Sequence, residues 1–409
     1  MNRIALVGLV AVSLVGTGCK KDSAAQGRPG VIKIVSSLPM TGSANAQTTT
    51  TVNGIRMAID EVGGKVGEFT IEYEPMDDAS AAKGDWDPEV ETQNAHKAVA
   101  DPDVLFYIGT YNSGAAKLSI PILNEANLPM ISPANTAAEL TKPGYSESNE
   151  PDVYRKSGKI TYFRVVPADD IQGRVAAEWM KAMGAKTVYV LDDRGYYGKG
   201  VANVFVDTAE DIGIKMLGRE GIDPKAQDYR SLMTKIKQLN PDFVYFGGTT
   251  QTNAGQIAKD MVEVGLAAKL MVPDGCYEDA FIKSAGAQNL EGRAFLTFGG
   301  LPPSQLTGKG KEFVEKYRAK FKSEPEAYAI YGYVAAKAAL DALAKAGKKD
   351  REAVRSALAD TKQVDGALGS WSFDPNGDTT LTVMSGNGVK SGQFEFLTTL
   401  GTAEKTEKK

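Results

Sequence analysis

The sequence repeatedly alternates a short, almost continuously apolar run with a longer segment of helical character. DVLFYIG (103–109), KTVYVLDD (186–193) and DFVYFGG (242–248) are such runs, and a helix-like segment follows each of them. Apolar runs without polar alternation are typical of parallel strands that are covered on both faces of the sheet. Their alternation with helices predicts βαβ units, and therefore an α/β fold built from doubly wound parallel sheets.

The chain contains more of these units than one sheet would hold. Residues 142–160 combine Pro, Gly and mixed charge, which indicates an exposed loop. The following FRVVPADD (163–170) is expected to carry the chain into a second sheet, and the pattern breaks again at AFLTFGGLPP (294–303). We therefore predict two α/β lobes joined by several crossings, an arrangement that closes on ligands by hinge motion.

The first residues predict export from the cytoplasm. Arg3 precedes an apolar stretch over 4–15, which is too short to span a bilayer but suits a secretory signal over 1–18. Small residues then lead to Cys19, which resembles the lipidated cysteine of bacterial lipoproteins. Residues 19–30 are expected to be a polar tether and residues 401–409 a disordered tail. The predicted location is the periplasm or cell surface, with a lipid anchor in the membrane.

Composition argues against nucleic-acid binding and the motifs argue against catalysis. The net charge is −4, so a basic face is not expected. His96 is the only histidine, zinc and phosphate-loop spacings are missing, and Asp192 and Asp193 are expected to be solvated at a strand end. Cys276 could be a nucleophile, although a lone cysteine is more often a small buried hydrophobe. We expect no enzyme activity, no cofactor and no metal.

Several strand-to-helix corners carry polar groups. In open α/β sheets, ligands bind beyond the carboxyl ends of the strands, where helix N-termini present free N–H groups. Ser113 is predicted to be the N-cap of one helix, and Thr136 is predicted to form a capping box with Glu139. Ala134 could present its carbonyl, and Asp274 lies in an Asp-Gly turn. Taken singly, these residues have ordinary structural explanations.

Taken together, the corners match a family. The motifs SLPMTGSANAQ, YEPMDDAS, YIGTYNSGAAK, MISPANTAAELT, DDRGYYGKGVA and LMVPDG occur in family order along residues 30–400. This part of the chain resembles the periplasmic leucine/isoleucine/valine-binding proteins, the solute-binding subunits of ABC importers. The resemblance implies a monomer with a three-crossing hinge, in which lobe 1 comprises 31–164 and 299–370 and lobe 2 comprises 165–298 and 371–400. It also implies an amino-acid ligand and an ABC permease as partners.

The resemblance assigns roles to individual residues. Ser113 and Thr136 would hold the ligand carboxylate, the Ala134 carbonyl and Asp274 would take the amino group, and Tyr197 would cover the ligand. The remaining expected wall residues are Asn112, Gln47, Thr249 and Thr250.

The sequence departs from the family pattern in this pocket. The family often has Glu where this chain has Asp274, and an aromatic residue where it has Gln47 or a threonine. Thr249 and Thr250 replace tyrosines, and Asn112 occupies the position of a disulfide cysteine, as Ser80 does. A more polar or larger pocket than one for leucine is expected. We predict a lipoprotein that captures a branched-chain or similar α-amino acid for an ABC permease. The alternative is a receptor of the same fold that senses small amides or carboxylates.

Overall fold

The computed structural model describes residues 27–146 and 149–401. The predicted signal over 1–18, the lipidated Cys19, most of the tether and the tail beyond residue 401 lie outside the described residues. Within the described ranges, no helix is both long and apolar enough to cross a membrane.

The regular elements alternate along the chain as the apolar pattern predicts. The strands are β1 (Val31–Leu38), β2 (Lys65–Val66), β3 (Phe69–Asp77), β4 (Ala79–Ser80), β5 (Asp85–Trp86), β6 (Val104–Gly109), β7 (Met130–Ser132), β8 (Tyr162–Arg164), β9 (Thr187–Asp192), β10 (Lys215–Gly221), β11 (Phe243–Gly247), β12 (Lys269–Val272), β13 (Ala294–Gly299), β14 (Lys362–Gly366), β15 (Gly369–Ser372), β16 (Met384–Lys390) and β17 (Gln393–Leu400). The helices are α1 (Asn45–Glu61), α2 (Pro88–Ala100), α3 (Ser113–Glu125), α4 (Asp169–Ala182), α5 (Tyr196–Asp211), α6 (Arg230–Leu239), α7 (Ala254–Glu263), α8 (Asp279–Ala285), α9 (Ala287–Leu290), α10 (Gly308–Phe321), α11 (Ala329–Ala346) and α12 (Arg351–Ala359).

Two large sheets organise these elements. The first has the strand order β2-β3-β1-β6-β7-β8, and the second has the order β10-β9-β11-β12-β13-β16-β17. The predicted pair of α/β lobes is thus confirmed. The sheets are mainly parallel, but β2, β16 and β17 run antiparallel to their neighbours. Strands such as β6 are buried along their whole length, which explains their unbroken apolar sequence.

The chain passes between the two sheets three times. It leaves the first sheet after β8, returns from the second sheet after β13, and enters the second sheet again before β16. We propose that lobe 1 comprises 31–164 with 299–370 and lobe 2 comprises 165–298 with 371–400. The distribution of the strands between the sheets supports the other segments, and the packing of α11 on α1 supports the assignment of 299–370 to lobe 1.

In lobe 1, helices α1 and α11 approach each other unusually closely. A Cβ atom added at Gly54 would lie 2.0 Å from the Ala329 carbonyl oxygen, and one at Gly332 would lie 2.4 Å from the Thr51 carbonyl oxygen. Because neither backbone can accommodate a side chain there, these two glycines permit the contact. The packing fixes the start of α11, and with it the preceding Tyr328, at the boundary between the lobes.

Candidate functional site

A cavity of about 120 Å³ lies between the lobes, at the carboxyl ends of strands from both sheets. Lobe 1 contributes the corners after β6 and β7, and lobe 2 contributes the corners after β9, β11 and β12. The described residues that line it are Asp85, Trp86, Tyr111, Asn112, Ser113, Gly114, Ala134, Thr136, Asp193, Gly195, Tyr196, Tyr197, Gly198, Thr249, Thr252, Asp274, Gly275 and Tyr328. This is the location where α/β sheets bind ligands.

The corner after β6 differs in detail from the prediction. Helix α3 begins at Ser113, so the N-cap is Asn112 and the predicted Ser113 cap is wrong. The Ser113 hydroxyl oxygen accepts a hydrogen bond from the Ala137 N–H at 3.3 Å, which ties α3 to the neighbouring corner. The hydroxyl proton is left to donate, since a serine oxygen both accepts and donates. The positive end of the α3 dipole lies at the same place and favours an anion.

The corner after β7 is shaped by a different serine. The Ser132 hydroxyl accepts hydrogen bonds from the Ala134 N–H at 3.1 Å and the Asn135 N–H at 2.8 Å. The predicted capping box of Thr136 with Glu139 is wrong, because the 3-10 turn that follows covers Ala138–Leu140 and has no side-chain cap. Thr136 lines the cavity instead.

Asp274 is the centre of a hydrogen-bond network on the opposite side of the cavity. Its Oδ1 accepts from the Tyr197 hydroxyl at 2.5 Å and from Gln172 Nε2 at 2.6 Å, and its Oδ2 accepts from the Tyr328 hydroxyl. Burial raises the pKa of Asp274, although the three donors oppose the rise. Since Tyr328 belongs to lobe 1 and Asp274 to lobe 2, this network joins the lobes.

Gln172 fixes the position of the Asp274 carboxylate from behind. Its Nε2 also donates to Asp169 Oδ1 at 2.7 Å, while its Oε1 accepts from the Asp274 N–H and the Thr297 hydroxyl, both at 3.0 Å. A side chain with bonds at both ends has little freedom to rotate, so the carboxylate is held in one orientation.

Seven of the nine residues that the sequence assigned to the ligand line the cavity, and two do not. Gln47 is buried, where its Nε2 donates to the Tyr277 carbonyl at 3.3 Å and its Oε1 accepts from the Tyr328 N–H at 3.2 Å. Because Tyr277 belongs to lobe 2, Gln47 links the two lobes by hydrogen bonds to the backbone and not through a ligand. Thr250 lies beside the wall, and its N–H donates to the Gly275 carbonyl at 3.1 Å.

Sequence reasoning missed several wall residues. Asp192 and Asp193 were expected to be solvated, but both are only 6% exposed and Asp193 lines the cavity. Their position directly after a buried strand was the available signal. Trp86 and Asp85 lie on the small β4–β5 hairpin, where Trp86 packs so closely on Gly114 that an added Cβ would lie 2.9 Å from the ring. No local pattern marked them.

Comparison with known proteins agrees with this geometry. The periplasmic binding protein family matches residues 31–390. The chain belongs to that family. Relatives of this periplasmic binding protein include a Leu/Ile/Val-binding protein of Rhizobium johnstonii, 30% identical over 84% of this chain and 87% of the relative. A leucine-, isoleucine-, valine-, threonine- and alanine-binding protein of Pseudomonas aeruginosa is 30% identical over 85% of this chain and 87% of the relative.

A solved structure extends the likeness to the fold. The leucine-binding protein of Thermotoga maritima is 28% identical and superposes with a TM-score of 0.79, over 91% of this chain and 99% of that one. The resemblance found in the sequence is therefore confirmed, and the molecule is a two-lobed substrate-binding protein of the periplasmic type.

Proposed function

We propose that this protein captures an α-amino acid between its lobes and delivers it to an ABC permease. The observation that carries the proposal is a set of complementary groups in one cavity: the Ser113 and Thr136 hydroxyls and the N-terminus of α3 come from lobe 1, and the buried Asp274 carboxylate comes from lobe 2. A zwitterion needs both. Charge-assisted hydrogen bonds of this kind are strong where water is excluded. The binding of leucine and similar amino acids by the named relatives supports the same ligand class.

The ligand carboxylate would bind Ser113, Thr136 and the N-terminus of α3. Its ammonium group would bind Asp274 and the Ala134 carbonyl oxygen, with Tyr197 covering the ligand. Asn112 and Thr249 complete the wall on either side. Gln47 and Thr250 would act on the ligand through neighbouring residues, because both lie outside the wall.

A ligand held in this way contacts both lobes and so binds the closed form better than the open one. It therefore shifts the population toward closure, which a permease can recognise. The ligand is expected to leave unchanged, because the chain belongs to a family of substrate-binding proteins. We propose that the protein works as a monomer at the outer surface of a membrane, anchored through Cys19.

A thermal-shift screen of the mature protein tests the proposal. The panel comprises α-amino acids, small amides and amine-free carboxylates. An α-amino acid at 100 times its dissociation constant should stabilise the protein by about 2.7 kcal/mol. Stabilisation by amides or amine-free acids alone would contradict the role of Asp274 and favour the sensing alternative. Neighbouring permease and ATPase genes would support transport, and a neighbouring signalling gene would support sensing.

A further inference from the structure

The cavity wall contains more carboxyl groups than the ammonium group of an α-amino acid can pair with. Asp85, Asp193 and Asp274 line it, and no Lys, Arg or His is among its described wall residues. Asp274 serves the ammonium group in the function proposed above, and Asp193 Oδ1 accepts the Gly195 N–H at 2.8 Å. Asp85 has no such role, since its Oδ1 only accepts from the adjacent Trp86 N–H at 2.8 Å.

Three residues, each in the cavity wall or within three residues of it along the chain, have a buried acceptor oxygen without a hydrogen-bond partner. Glu278 is 1% exposed, and its Oε2 has no hydrogen-bond partner, although Gln251 Nε2 donates to its Oε1 at 2.7 Å. The Oε1 of Gln251 and the Oδ1 of Asn112 are likewise buried and unpartnered. Each such oxygen costs free energy until a donor reaches it. The group belongs to both lobes, because Asp85 and Asn112 lie in lobe 1 and the others in lobe 2.

Electrostatics connects Glu278 to the cavity wall. Burial, with the carboxylate of Asp85 adding to it, raises the pKa of Glu278 to about 7. Burial raises the pKa of Tyr111, which lines the cavity, and the carboxylates of Glu278 and Asp274 add to that rise. Burial raises the pKa of Asp85 as well. Asp85 and Asn112 line the cavity, whereas Gln251 and Glu278 lie outside its lining, a few residues from wall residues in the chain. We call these four residues the acidic end of the cavity.

We propose that the acidic end binds a second, donor-rich cationic group, so that the ligand is an amino acid with a basic side chain, such as lysine or arginine. The inference rests on the function proposed above and specifies its substrate class. The N–H donors of an ammonium or guanidinium group would pair with the Asp85 carboxylate and with the unpartnered Asn112 Oδ1, which both belong to the cavity wall. The rings of Trp86 and Tyr111 would pack against the aliphatic stem and offer cation–π contacts.

Calorimetry with matched ligands tests the inference on the unmodified protein. Lysine should bind at least tenfold more tightly than norleucine, and arginine more tightly than citrulline, because each pair differs mainly in the side-chain charge. Equal or tighter binding of norleucine would overturn the inference while leaving the proposed function intact. Cadaverine separates the two claims, since it lacks the carboxylate. If it binds as tightly as lysine, or if no α-amino acid binds at all, the proposed function fails.

Two variants locate the cation. Asp85→Asn should weaken lysine binding at least tenfold, and Glu278→Gln should weaken it by a smaller factor because Glu278 lies outside the cavity lining. Both variants should leave norleucine binding unchanged or tighter. Asp207→Asn and Glu312→Gln, which alter exposed acids on α5 and α10, are the matched controls and should leave both affinities unchanged. Equal losses for lysine and norleucine would contradict an acidic end that recognises side-chain charge. If either variant fails to fold, the comparison of lysine with norleucine on the wild-type protein still tests the inference.

Discussion

Replacing Asp274 by Asn is expected to weaken amino-acid binding by about 2 to 5 kcal/mol, which is roughly a 30-fold or larger rise in Kd. The change removes the charge that would pair with the ligand ammonium group in a closed cavity, while it preserves the size of the side chain. Tyr197, Gln172 and Tyr328 already hold this carboxylate in place, so the apoprotein presents it ready for the ligand. Calorimetry on the purified variant measures the loss.

A stability measurement distinguishes binding from folding at this position. Because burial raises the pKa of Asp274, its charge opposes folding, and Asn should not lower the melting temperature of the free protein. An unchanged affinity would refute the assignment of the ammonium site. A parallel loss of affinity and of melting temperature would make Asp274 a structural residue. Asp207→Asn, on the exposed face of α5, serves as the control here too.

Replacing Asp378 by Ala is expected to destabilise the fold by about 3 to 5 kcal/mol, because it leaves a buried guanidinium without its counter-ion. Arg164 is 0% exposed, and its Nε donates to Asp378 Oδ1 at 2.6 Å. Its other nitrogens donate to the Ala137 carbonyl at 2.7 Å, to the Asn135 carbonyl at 3.3 Å and to the Thr141 hydroxyl. Arg164 therefore joins the end of β8 to the cavity-lining corner on either side of Thr136.

Urea unfolding at neutral pH measures this loss. Burial acts to raise the pKa of Asp378, but Arg164 outweighs it and the pKa lies below its usual value. The pair therefore stabilises the protein above pH 4 and loses its effect as the pH falls through the folded-state pKa. The exposed pair of Asp60 with Lys320 is the control, and Asp60→Ala should cost about 1 kcal/mol or less. Similar losses for the two variants would contradict the special role of burial.

The sequence predicted the parts of the site that depend on local order. Unbroken apolar runs located β6, β9 and β11, and the carboxyl end of each parallel strand necessarily lies at one edge of its sheet. Ser113 and Thr136 follow neighbouring strands of one sheet, so their proximity could be expected from the order of the elements. The meeting of Asp274, on the other sheet, with these two residues was implied only by the family resemblance. The start of α3 differs from the prediction by one residue, and the side chain of its N-cap, Asn112, makes no capping hydrogen bond that a sequence pattern could have anticipated.

The parts of the site that the sequence did not predict depend on contacts between residues far apart in the chain. Tyr328 reaches Asp274 only because α11 packs on α1, and that packing follows from two glycines far apart in sequence. Trp86 and Asp85 lie on a hairpin of two-residue strands, which has no periodicity to detect. Gln47 has the right position along the chain, but its amide is occupied by backbone groups of both lobes. Propensity and spacing carry no information about such partners.

The packing of Trp86 on Gly114 also has an optical consequence. The chain has three tryptophans, and Trp179 and Trp371 are buried in apolar clusters away from the cavity. Trp86 alone lies in the wall, where arrival of a solute replaces solvent next to its indole ring. The other two indoles supply a constant background of emission. Occupancy of the cleft can thus be followed by the intrinsic fluorescence of the unlabelled protein.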